Sequence, residues 1–247
     1  MWNDVIDLRD FYASPLGQTV RRILRRRIRE FWPDTQGLKI LGLGYATPFL
    51  SPLRNDAERV MAVMPARQGV LRWPTDNGCL TALADEIDLP FPDLSIDRVV
   101  LVHAVECAEQ IRPLLREIWR VLAGNGRLLA IAPNRAGLWS RLDRTPFGHG
   151  QPYSADQLTR LLRDTLYMPI QSQHALYVPP THSRMLLKAA PAWEALGRRR
   201  WFRPWGGLVM TEAAKQIYAA PAEGAEAKRR RVYDPVTDRQ AGRATRG

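Results

Sequence analysis

Residues 99–102 read Val-Val-Leu-Val, and this unbroken apolar run constrains the architecture more than any other stretch. Successive side chains of a strand point to opposite faces, so a strand that is apolar at every position must be buried on both. That is the condition of a parallel sheet covered by helices on each side. Similar runs occur at 38–43 and 127–132, and Val60, Met61, Ala62 and Val63 form another within 59–64. Between them the period changes. Ile111, Leu114, Leu115, Ile118, Trp119 and Leu122 recur at helical spacing across 108–122, with Gly124 as the closing residue. Ser154-Ala155-Asp156-Gln157 has the form of a capping box and opens a helix to about residue 164. Strand-like residues at 170–178, a helix before Pro191 and a last segment at 206–217 complete an alternating α/β, doubly wound chain. A length of 247 residues, 45% of them hydrophobic, suits one sizeable core. That core is expected at residues 37–218.

The formal charge of +11 sits mostly at the two ends. Residues 16–32 carry Arg21, Arg22, Arg25, Arg26, Arg27 and Arg29 against Glu30 alone. Leu16, Val20, Ile23, Leu24, Ile28 and Phe31 follow a Ser14-Pro15 helix start at helical spacing. Residues 1–36 are therefore expected to place an amphipathic helix on the core with its arginines in solvent. Residues 219–247 hold Lys228-Arg229-Arg230-Arg231 and no periodic apolar pattern, the composition of a disordered basic tail. Either end could meet RNA or acidic lipid, but the simpler roles are packing for the first and solubility for the second.

Cys79 and Cys107 are the only cysteines, so no disulfide framework or metal-ligand spacing is present. No run approaches the ~20 apolar residues of a membrane span, and the opening Met1-Trp2-Asn3-Asp4 lacks the form of a signal peptide. A cytoplasmic protein is expected.

Lys39-Ile40-Leu41-Gly42-Leu43-Gly44-Tyr45-Ala46-Thr47-Pro48 has the outline of a strand followed by a nucleotide-cradling turn, since glycine lets a ligand approach the backbone. An ordinary strand-to-helix turn would read the same way. The stretch Ala84-Asp85-Glu86-Ile87-Asp88-Leu89-Pro90-Phe91-Pro92-Asp93-Leu94-Ser95-Ile96-Asp97 is more specific, as is Leu114 to Asn134 with its Arg-Val-Leu-Ala-Gly-Asn-Gly-Arg-Leu-Leu core. Together these resemble class I S-adenosylmethionine-dependent methyltransferases over about residues 39–134. The resemblance implies a Rossmann-like, mostly parallel sheet, S-adenosylmethionine as cofactor, and methyl transfer to an unidentified acceptor. It places Gly42, Gly44 and Tyr45 under the cofactor, and Asp85 and Glu86 at the adenine, whose amine a carboxylate can accept. His103 falls at the end of the fourth strand, as a cofactor-facing group or a satisfied core histidine, and Asp85 could instead cap its own turn.

Four positions depart from the family pattern. Gly42 stands where relatives carry an acid, and Ala46 and Pro48 replace the later glycines. Met64 occupies the place of the ribose-binding carboxylate, and a thioether cannot accept those hydrogen bonds. Weakened cofactor binding is expected, with Met64→Glu tightening it roughly tenfold. The long Gly-, Pro- and aromatic-containing segment 139–153 reads as a lid. His149 within it is the candidate base, or a surface histidine bonded to backbone. Arg135, Arg141 and Arg144 are available to an anionic acceptor. The rival reading is a catalytically silent methyltransferase-like module that binds a partner protein.

Overall fold

The computed structural model describes residues 4–75, 78–199 and 202–216. The expected basic tail, 219–247, lies outside them. The chain opens with two helices, α1 (Val5–Ala13) and α2 (Pro15–Phe31), followed by β1 (Lys39–Gly44), the single turn α3 (Thr47–Leu50), β2 (Arg59–Pro65), β3 (Thr81–Ala84) and β4 (Ile96–Val102). Then come α4 (Ile111–Val121), β5 (Leu122–Pro133), α5 (Ala155–Asp164), β6 (Tyr167–Ala175), α6 (Arg184–Lys188), α7 (Ala190–Gly197) and β7 (Leu208–Lys215).

The seven strands lie in the order β3-β2-β1-β4-β5-β7-β6. β1 to β5 are parallel, and β7 is antiparallel to both β5 and β6. The strand order reverses between β1 and β4, which is where an open α/β sheet forms its ligand crevice beyond the carboxyl ends of the strands. Val100 and Val102 enter one hydrophobic layer with α1, α2 and α3; Val99 and Leu101 enter the other with α4 and α5. This is the two-faced burial that the continuous apolar run requires.

Several boundaries differ from the sequence reading. Residues before Ser14 form a helix of their own. The Ser14 side chain accepts from the Gly17 amide at 3.1 Å, starting α2, and donates to the Phe11 carbonyl at 2.6 Å, ending α1. The helix expected over 108–122 spans Ile111–Val121, and the fifth strand starts at Leu122, so Gly124 lies inside a strand. The strand expected at 170–178 is Tyr167–Ala175. β3 escaped the sequence reading because it has only four residues, on the sheet edge, none of them fully buried.

The arginines of α2 are not all in solvent. Arg27 is buried, donating to Glu30 at 2.8 Å and to the His174 carbonyl at 3.3 Å. Arg25 donates to the Pro48 carbonyl at 2.7 Å, and Arg29 pairs with Asp56. Trp32, which caps α2, donates its indole N–H to the buried Glu212 at 3.0 Å, tying the helix to the centre of the sheet.

Candidate active site

The turn after β1 is tight for reasons internal to the chain. Gly44 has φ +78°, and a Cβ there would lie 2.3 Å from the Val102 carbonyl, which accepts the Tyr45 amide at 2.9 Å. A Cβ on Gly42 would lie 2.6 Å from Leu50 Cδ1 and 2.7 Å from Ala46 Cβ. The space that each glycine opens is therefore filled by neighbouring protein. Tyr45 is buried and stacks on Tyr12 of α1, with ring centres 5.6 Å apart and planes 16° from parallel. Met64 is fully enclosed in the α1/α2 layer at 0% exposure, so its side chain cannot meet a ribose from that position.

A cavity of about 430 Å³ opens beside these residues, within the range of small-molecule sites. Its walls come from the end of β2 and the turn after it (Pro65 and Gln68), the turn after β3 (Asp85 and Glu86), and the residues after β4 (His103 and Cys107). Of the positions expected to hold a cofactor, it brings together Asp85, Glu86 and His103; Gly42, Gly44, Tyr45 and Met64 are not on its walls. Asp85 does both things its sequence allowed, lining the cavity and accepting the Ile87 amide at 3.1 Å as a turn cap. Burial pushes the Glu86 carboxyl up, against the backbone hydrogen bond of Gln110. Burial, with Glu106 and Glu86 nearby, raises the Cys107 thiol strongly.

At the inner end of the cavity lies a buried polar chain. His103 is only 2% exposed and has φ +52°, a turn that lifts the chain off β4 and aims the imidazole back across the strand ends. Its Nδ1 is 3.1 Å from Glu106 Oε1, and its Nε2 is 2.8 Å from the Tyr12 hydroxyl. An ionised carboxylate can only accept, so Nδ1 carries the proton and Nε2 accepts from Tyr12. Burial, then Glu106 and Tyr45, hold the Tyr12 phenol well above its ordinary value. Glu106 Oε2 and Gln68 Oε1 are buried acceptors without a hydrogen-bond partner among the described residues. Gln68 uses its amide nitrogen on the His103 carbonyl at 3.5 Å.

The segment 139–153 folds over this end. Phe147 packs on the His103 ring at 4.7 Å and edge-on to Phe11 at 6.2 Å, and Gln151 donates its amide to the Glu106 carbonyl at 2.9 Å. His149 does not line the cavity; its Nε2 lies 2.7 Å from the Asp143 carbonyl, to which it donates. That bond makes Nε2 a donor and aims it back into the lid, away from the cavity walls. Arg135 and Arg144 donate to the carbonyls of Pro152 and Pro180 at 3.5 and 3.0 Å.

Sequence reasoning did not single out Tyr12, Gln68 or Glu106. Glu106 had a signal, a His-x-x-Glu spacing at a strand end, and Gln68 stands four residues beyond Met64. Tyr12 had none, since it meets His103 across 91 positions of chain.

The family profile described as the methyltransferase domain matches residues 41–130, from β1 into β5. A probable S-adenosylmethionine-dependent methyltransferase of Mycobacterium tuberculosis is 36% identical over 89 residues, which are 35% of this chain and 32% of that protein. The demethylmenaquinone methyltransferase of Corynebacterium efficiens is 29% identical over 128 residues, 52% of this chain and 56% of that one. The aligned part thus spans about a third to just over half of these curated relatives. In fold, the chain superimposes with TM-score 0.64 on one from the complex of the Haloferax volcanii Trm112 methyltransferase activator with a methyltransferase. That match covers 88% of this chain and 100% of the other, at 19% identity. Residues 41–130 thus match the methyltransferase-domain family, and the strand order and the superposition show the Rossmann-like fold of class I S-adenosylmethionine-dependent methyltransferases.

Proposed function

We propose that the protein transfers the methyl group of S-adenosylmethionine to an unidentified acceptor, with the adenosine part of the cofactor in the cavity bounded by Asp85, Glu86 and Gln68. The observation that carries this reading is the buried acceptor Gln68 Oε1, unpartnered among the described residues, in a side chain that lines a cavity at the reversal of strand order. A buried acceptor without a partner costs roughly 1–3 kcal/mol, and a bound hydroxyl or amine would relieve it. Gln68 thereby takes the role that Met64 cannot fill. Asp85 is assigned to the adenine amine, while Gly44 and Tyr45 support the floor indirectly through packing. The methyltransferase-domain match over residues 41–130 favours the enzyme over the silent module.

When bound, the sulfonium supplies an already activated methyl, so the chain's own task is positioning and proton handling. His103 is the candidate base in place of His149. Glu106 fixes its tautomer, leaving Nε2 as the acceptor for a hydroxyl or amine proton. The Tyr12 hydroxyl now on Nε2 marks where the acceptor's donor group would bind. Phe147, Tyr45 and Tyr12 exclude water from that end.

Calorimetric titration with S-adenosylmethionine and S-adenosylhomocysteine tests the site. Gln68→Ala is expected to weaken both ligands by about five- to tenfold. His103→Asn should leave cofactor affinity within about threefold while lowering turnover by roughly a hundredfold on any acceptor found. No binding of either ligand would overturn the cofactor reading, and full turnover in the His103 variant would overturn the base.

A further inference from the structure

Far in sequence from the cofactor cavity, α2 and the α6–α7 pair bound a second, larger groove of about 580 Å³. Its aliphatic lining includes Ile23, Leu187, Ala190 and Pro191, and its polar lining is mostly cationic. The two acids of the lining are already committed at one end. Glu30 pairs with Arg26 at 3.2 Å, with Arg27 at 2.8 Å and with Arg198 at 3.7 Å, while Glu194 lies 3.8 Å from Arg27 and accepts the Tyr177 amide at 2.6 Å. At the other end stand Arg22, Arg184 and Lys188. Arg184 and Lys188 are exposed, and among the described residues no carboxylate lies within ion-pair distance of any of the three.

We propose that this groove binds an anionic amphiphile: an aliphatic chain along Ile23, Leu187, Ala190 and Pro191, with a phosphate or carboxylate held by Arg22, Arg184 and Lys188. The volume is that of a single-ligand site. Three uncompensated cations at one end of an apolar trough match a molecule with one charged head and one apolar tail. Inorganic phosphate would find the charge without the trough, and a neutral lipid the trough without the charge. The ligand could be a lipid drawn from a bilayer or a free amphiphile in solution. The proposal does not depend on the methyl-transfer reading.

The test uses the full chain and three probes: monomeric dodecyl phosphate and inorganic phosphate by calorimetry, and vesicles of phosphatidylcholine with or without phosphatidylglycerol by co-sedimentation. Dodecyl phosphate should bind at least tenfold more tightly than inorganic phosphate. The double variant Arg184→Glu/Lys188→Glu, at two exposed positions, should weaken it at least tenfold with an unchanged thermal melt. Co-sedimentation with phosphatidylglycerol vesicles that the double variant abolishes identifies a bilayer source. Binding of dodecyl phosphate without co-sedimentation identifies a free amphiphile. Equal binding by the double variant, or equal affinity for inorganic phosphate, overturns the site. Vesicle binding that survives in the double variant assigns it to another part of the chain and overturns the bilayer source.

Discussion

Met64 gives a different outlook once its surroundings are known. As a strand-end residue in the ribose position, it suggested that a carboxylate there would improve cofactor binding. Fully enclosed in the α1/α2 layer, the same carboxylate would be buried without a partner. Met64→Glu is therefore expected to destabilise the fold by ~3 kcal/mol without tightening S-adenosylmethionine, read by urea denaturation alongside calorimetry; a tighter complex with an unchanged urea midpoint would refute the placement. The two cysteines allow a second measurement. Hydrogen bonding with Thr81 lowers the exposed Cys79 thiol, whereas burial near Glu106 raises that of Cys107. Since the thiolate is the nucleophile, iodoacetamide at neutral pH should modify Cys79 well before Cys107. Cofactor should slow only Cys107, which lines the cavity. Peptide mass mapping over time distinguishes the sites, and cofactor protection of Cys79 instead would move the ligand elsewhere.

At the scale of elements, α1 closes the site. Val5, Leu8, Phe11 and Tyr12 form its buried face, and Tyr12 meets Tyr45, Phe49 and His103 over the strand ends. The Val5 amide also bonds the Gln68 carbonyl at 2.8 Å, joining α1 to the cavity wall. Leu8, 1% exposed, is a clean probe of this docking because it touches none of the proposed chemistry. Leu8→Ala should cost about 3 kcal/mol and lower the melting temperature by roughly 6–12 °C. Calorimetric melting decides it, and a shift under about 2 °C would mean that α1 packs only loosely. The helix was hard to read because its apolar set is only four residues long and stops just before Ser14, which ends one helix and begins the next.

For the whole molecule, phenol burial sets an alkaline limit. Burial raises Tyr12 and Tyr167 well above 10.0, raises Tyr153, and pushes Tyr45 up to about 12. In the unfolded chain these groups ionise near pH ~10, so above that pH the unfolded state holds fewer protons than the folded one. Their contribution is complete below about pH 10 and is lost as pH rises through the folded values. Denaturant midpoints should fall between about pH 9 and about pH 11.5, with phenolate absorbance appearing late and together with unfolding; equal midpoints would contradict the burial. The sheet was legible in the sequence because continuous apolar strands between amphipathic helices allow few other arrangements, and the 84–134 motifs fixed the family's expected cofactor. The family resemblance named Asp85, Glu86 and His103, and the structure finds all three on the wall of one cavity. The sequence could not place Gln68, Glu106 and Tyr12 around one cavity, nor bury Met64 and turn His149 toward Asp143. Those outcomes depend on how α1 and the 139–153 segment pack over the strands, and packing between residues some ninety positions apart leaves no periodic trace in the chain.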